Sequence, residues 1–129
     1  MTNDRLEKGI KNIQALKENG EQGILKGLGG IAPDLANSVL EYIFGTLYDR
    51  PGLDLKTKQI LTITILATLG NAKPQLAYHI ECGLNVGITR TEIIDIMTHL
   101  SGYAGFPAAL NGVATAKEVF AALDNKKIS

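Results

Sequence analysis

Leu55-Lys56-Thr57-Lys58-Gln59-Ile60-Leu61-Thr62-Ile63-Thr64-Ile65-Leu66-Ala67-Thr68-Leu69-Gly70 is the stretch on which the fold turns. Isoleucine and threonine are β-branched and suit strands, so composition alone admits a strand here. The run is long for a strand, however, and Gly70 is a helix stop. The segment therefore reads as a helix over 55–69, with Asp54 as its N-cap. It is apolar nearly all round, as expected of a central, buried element.

The flanking segments fall into the same class. Residues 4–19 read as a helix with Leu6, Ile10, Ile13 and Leu16 on one narrow stripe, stopped by Gly20. So thin a stripe can dock on the body of the protein or on a second subunit. Residues 21–28 form a short helix closed by Gly29-Gly30, and Pro33 opens a longer one running to about Tyr48. Asp49-Arg50-Pro51-Gly52-Leu53 is turn chemistry. Beyond Gly70, a helix spans Pro74 to Gly87, and Thr89-Arg90-Thr91-Glu92 is a capping box for the next. Tyr103-Ala104-Gly105-Phe106-Pro107-Ala108-Ala109 then joins that helix to a last one, from Pro107 to about Leu123, before a frayed polar tail over 124–129. With no strand pair or repeat, the reading is an all-α bundle of about six to seven helices, a single domain over 1–129.

Bulk properties narrow the function. Of 129 residues, 45% are hydrophobic and 20% charged, and the formal net charge is +0. That composition is globular, and it lacks the basic stripe that a nucleic-acid partner requires. The start of the chain is polar and no apolar run reaches membrane-spanning length, so a cytoplasmic protein with no membrane partner is expected. A single cysteine, Cys82, excludes an intrachain disulfide or a Cys-rich zinc site.

Chemistry-bearing residues cluster on helix borders. On the helix from Pro74, Leu76, Ile80, Gly83 and Leu84 make the apolar face, and His79, Cys82 and Val86 lie along one border of it. On the next helix His99 and Tyr103, four residues apart, share a flank beside Ile96. Packed as neighbours, these two helices would line one crevice with both histidines, Cys82 and Tyr103. A lone border histidine is more often structural; two of them with a tyrosine on matching borders weaken that alternative. Arg50, Lys56 and Lys58 gather at the positive end of the 55–69 helix, where either an anion binds or Asp49 and Asp54 pair them off. Cys82 has no second thiol and no helix N-terminus, so it reads as a buried structural cysteine. Two histidines twenty residues apart do not make a metal-ligand set, and no phosphate loop or nucleophile elbow is present.

The run from Tyr48 through Arg50-Pro51-Gly52-Leu53-Asp54 to Thr57-Lys58 resembles the Arg-Pro-Gly-Leu-Asp-x-x-Thr-Arg signature of the carboxymuconolactone decarboxylase family. Gln75-Leu76-Ala77-Tyr78-His79, continuing to Gly87-Ile88-Thr89-Arg90-Thr91-Glu92-Ile93, and the Tyr103–Ala109 string resemble the same family in order and spacing. The resemblance implies the alkylhydroperoxidase-D-like helical fold, assembly as trimers or hexamers with sites near subunit interfaces, and one of two activities. The peroxidase branch carries Cys-x-x-Cys-x-x-x-His; here the positions preceding His79 are Ala72 and Gln75, and the accompanying acidic residue of the earlier helix corresponds to Gln59. The decarboxylase branch converts 4-carboxymuconolactone to an enol-lactone in aromatic catabolism, without a cofactor. The signature's second arginine is Lys58, which keeps the charge and loses the bidentate fork.

The expectation is accordingly a cofactor-free lyase acting on a small carboxylated lactone or similar enolisable anion. His79 would be the general acid/base, Arg50 with Lys58 would hold a carboxylate, and Tyr103 and His99 would hydrogen-bond the lactone or its enolate. The alternatives are a redox protein pairing Cys82 with an external or intersubunit thiol, and a non-catalytic oligomeric ligand-binding module.

Overall fold

The computed structural model describes residues 3–128, and every regular element among them is helical. These residues gather into two compact units that divide at the head of the 55–69 helix.

The first unit holds α1 (Asp4–Leu16), α2 (Gly20–Leu28) and α3 (Pro33–Ser38), the last running directly into a π-helical segment (Val39–Leu47). Asn3 caps α1 by accepting the Leu6 N–H on its side chain at 3.2 Å. The first helix ends at Leu16, earlier than expected, because Lys17 is extended and Asn19 adopts a left-handed conformation with φ 57°. Gly20, expected as the stop, is instead the first residue of α2. Asparagine tolerates the left-handed region well enough to take the role anticipated for glycine.

The partner of the thin α1 stripe lies within this unit. Helix α1 packs on the π-helical segment with Ile13, Leu16, Leu40 and Phe44 buried. Two glycines permit the approach: a Cβ on Gly9 would run into the Leu40 carbonyl, and one on Gly45 into the Arg5 carbonyl. Polar contacts flank the crossing, with Asn12 Nδ2 donating to the Phe44 carbonyl at 2.7 Å and Arg5 Nη2 to Thr46 Oγ1 at 3.1 Å.

The second unit is built from α4 (Leu55–Leu69), α5 (Lys73–Asn85), α6 (Arg90–Ala104) and α7 (Phe106–Ile128). The strand-like composition of α4 is accommodated by its threonines. Thr62 Oγ1 donates to the Lys58 carbonyl at 2.8 Å and Thr64 Oγ1 to the Ile60 carbonyl at 2.7 Å, so neither hydroxyl competes with the helix ladder. Contrary to the expectation of burial all round, α4 buries only the seam Gln59, Ile63 and Ala67. Leu61, Ile65 and Leu69 are exposed, Ile65 by 57%.

Ile63 and Ala67 join Leu76, Ile80, Ile88, Ile93, Met97, Leu100, Ala109 and Ala116 in one core. Gly83 of α5 admits the Ile63 and Ile88 side chains against its backbone, and Gly112 of α7 admits Met97. Helix α6 opens on the expected capping box, Thr89 Oγ1 accepting from the Glu92 N–H and Glu92 Oε1 from the Thr89 N–H. It turns into α7 at Gly105, whose φ of 97° needs a glycine. The last helix packs on both α5 and α6.

The tail expected to fray is helical to Ile128. Its anchor is Arg90, whose guanidinium makes two bonds to the Asp124 carboxylate, at 2.7 and 3.1 Å, and lies 4.9 Å from the centre of the Phe120 ring. Ser129, the end of that tail, lies outside the described residues. Among the described residues, no helix is long and apolar enough to cross a membrane.

Candidate active site

Helix α5 presents His79 toward α4, the two elements being bridged through polar atoms in an otherwise apolar seam. His79 Nδ1 lies 3.1 Å from Gln59 Oε1, and Gln59 is fully buried. An amide oxygen accepts, so Nδ1 carries the proton in this contact. The Tyr78 ring meets the imidazole edge-on, with centroids 5.3 Å apart and planes at 79°. Burial pushes the His79 pKa down from 6.5 to about 4, because the imidazolium loses its hydration there. At neutral pH the ring is neutral, and with the proton on Nδ1 the nitrogen left basic is Nε2.

Cys82, expected on the same border as His79, belongs to the core: it is fully buried, whereas His79 and Val86 are half-buried. Its thiol is in no disulfide and is enclosed away from solvent. His99 and Tyr103 share a flank of α6 as their spacing requires, with ring centroids 5.6 Å apart. Both are exposed, Tyr103 by 88%. Their ring contact is with each other, and the substantial packing of both α5 and α6 is onto α7. The second unit thus places His79 half-buried beside α4 and the His99–Tyr103 pair on its exterior.

The cations divide as well. Lys56 pairs with Glu92 at 3.7 Å, rather than with Asp49 or Asp54. That contact and, above all, the Thr89 N–H keep the Glu92 carboxyl below the ordinary range. Lys58 is half-buried in the first turn of α4. Arg50 is an exposed residue of the first unit, next to Asp49, whose carboxylate is taken by Lys8 at 3.6 Å and Asn12 at 3.3 Å. Among the described residues, no three His, Cys, Asp or Glu side chains come together as a metal site.

The family resemblance placed Gln59 where the peroxidase branch carries an acidic residue, but helix spacing alone gave it no contact with His79. The signal was its register: Gln59, Ile63 and Ala67 recur every four residues, so a polar side chain occupies the first position of a core seam. A buried amide must be hydrogen-bonded, and the border histidine of the neighbouring helix is what it meets.

Comparison with known proteins bears on what this arrangement serves. Residues 33–118 match the carboxymuconolactone decarboxylase family. The chain is 31% identical over 117 residues to a 4-carboxymuconolactone decarboxylase of Acinetobacter baylyi, covering 90% of this chain and 87% of that protein. It is 30% identical over 122 residues to an uncharacterized 15.0 kDa protein of Paracoccus denitrificans, covering 94% and 91% of the two chains. A shorter similarity, 32% over 76 residues, covers 58% of this chain and 52% of a nitrosuccinic acid decarboxylase of Metarhizium robertsii.

Proposed function

The chain belongs to the carboxymuconolactone decarboxylase family, and from that membership we propose that it is a cofactor-free decarboxylase of a small carboxylated lactone such as 4-carboxymuconolactone. Two of the similar proteins are named as decarboxylases of different carboxylic acids, which supports the reaction more strongly than any one substrate. The observation that carries the reading is the half-buried imidazole of His79, neutral at working pH, with its Nδ1 3.1 Å from Gln59 Oε1.

The chemistry asks little of the protein beyond orientation and one proton. The bond between the substrate carbon and its carboxylate breaks, CO₂ departs, and the electron pair passes into the conjugated lactone as an enolate. One proton from solvent then adds to the carbon next to the lactone carbonyl, at the far end of that enolate, leaving the enol-lactone. His79 is suited to relay it through Nε2: an anion bound beside the ring favours the imidazolium and opposes the effect of burial. Arg50 holds a substrate carboxylate through its planar fork, and Lys58 contributes charge without that fork. Tyr103 and His99 hydrogen-bond the lactone oxygens as negative charge develops there.

The exposure of Tyr103, Phe106 and Leu110 on one side, and of Leu61, Ile65 and Leu69 on α4, supports assembly as a homo-oligomer, a trimer or hexamer, whose subunits cover these residues. In such an assembly the His99–Tyr103 pair serves a site near a subunit interface. The thiol-redox alternative finds no support, since a fully buried Cys82 does not meet an external thiol. CO₂ release from 4-carboxymuconolactone that depends on His79 is the test of this reading.

A further inference from the structure

We propose that Gln59 is a positioning residue for His79, locking the imidazole as the Nδ1–H tautomer so that protons enter and leave through Nε2. The inference rests on the reading of His79 as the proton-transfer group, and its structural part stands apart from the substrate. Three observations carry it. Gln59 is fully buried on the seam of α4, where Ile63 and Ala67 are the other members, so packing fixes its backbone position. Its Oε1 is 3.1 Å from His79 Nδ1, a length at which an amide oxygen holds a ring N–H. The Tyr78 ring stands edge-on to the imidazole and limits the ring's rotation from the side.

The identity of the group matters as much as its place. A carboxylate at this position would pair with an imidazolium and draw the ring toward its charged form. An amide of the same length donates no charge, so the tautomer is set while the ring stays neutral. On the ring's own helix Tyr78 is in ring contact and Cys82, three residues on, is buried; on α4 the ring meets the uncharged Gln59. Gln59 therefore decides two things together: which nitrogen is basic, and whether the ring waits as base or as acid.

The experiment is ¹⁵N NMR of the imidazole nitrogens in the full chain, with His79 assigned by comparison with His79→Gln. Wild type at neutral pH is expected to show Nδ1 protonated and Nε2 bare. Gln59→Glu, almost the same size, is expected to raise the ring's titration midpoint by about 1–3 pH units. Gln59→Leu is expected to release the tautomer to a mixture. A wild-type spectrum with Nε2 protonated overturns the proposal by itself, even if neither variant folds. Unchanged His79 resonances in both variants overturn it equally. With 4-carboxymuconolactone as probe, the pH profile of kcat should move upward in Gln59→Glu, a displacement that mere loss of packing does not produce. Absence of turnover by wild type would fail the reading of the site, while the wild-type spectrum would still decide the tautomer.

Discussion

Burial that pushes the His79 pKa to about 4 has a thermodynamic consequence away from catalysis. In the unfolded chain the same imidazole titrates near 6.5. Between these values the unfolded state binds the extra proton, so stability increases with pH across the window. The full contribution is present above pH 6.5 and is lost as pH falls toward 4; it amounts to no more than about 3 kcal/mol for this difference in affinity. Urea unfolding at pH 7 and pH 4.5 should show wild type losing distinctly more stability than His79→Gln. Parallel losses in the two proteins would mean the ring is hydrated in the fold. The border position of His79 and the His99–Tyr103 contact were legible from helical spacing, because four residues along a helix fix a shared flank. The burial of Cys82 was legible too, from its want of a second thiol and of a helix N-terminus; the contact of His79 with Gln59 was not legible from spacing, since it depends on how α4 meets α5, which one helix's periodicity does not contain.

Helix positions were read well where local chemistry sets them. Pro33, the Thr89 capping box and Gly105 each mark a boundary through groups within a few residues of it. Errors arose where distant groups intervene: Arg90 reaches Asp124 and keeps the end of α7 helical, which no local polarity pattern reveals. The crossing of α1 with the π-helical segment gives a quantitative contrast. Gly9→Ala places a methyl group against the Leu40 carbonyl and should cost about 1–3 kcal/mol, as overpacking does. Gly27→Ala, on α2 with open space around it, should instead stabilise by about 0.4–1 kcal/mol through the unfolded chain's lost freedom. Denaturant midpoints check both signs. A neutral or stabilising Gly9→Ala would show that the two helices are not held at glycine distance.

For the molecule as a whole, the all-α class followed from reading one ambiguous segment, 55–69, as a helix, and its threonine back-bonds show why β-branched residues tolerate that state. What the sequence read as a buried central helix is a helix with one face in the core and Ile65 and its neighbours outside. That face, uncovered in a single chain, is why an oligomer is proposed. Light scattering on purified protein should give the mass of a trimer or hexamer, with Ile65→Asp shifted toward smaller species; a wild-type monomer at micromolar concentration would contradict the proposal. The central claim is more exposed to a single assay: turnover of 4-carboxymuconolactone, followed as CO₂ release, by wild type and by His79→Ala. The account predicts steady turnover by wild type without added metal or cofactor, and a fall in kcat of about 10²–10⁴-fold in the variant. Equal turnover by the two proteins, or none by wild type, would contradict it.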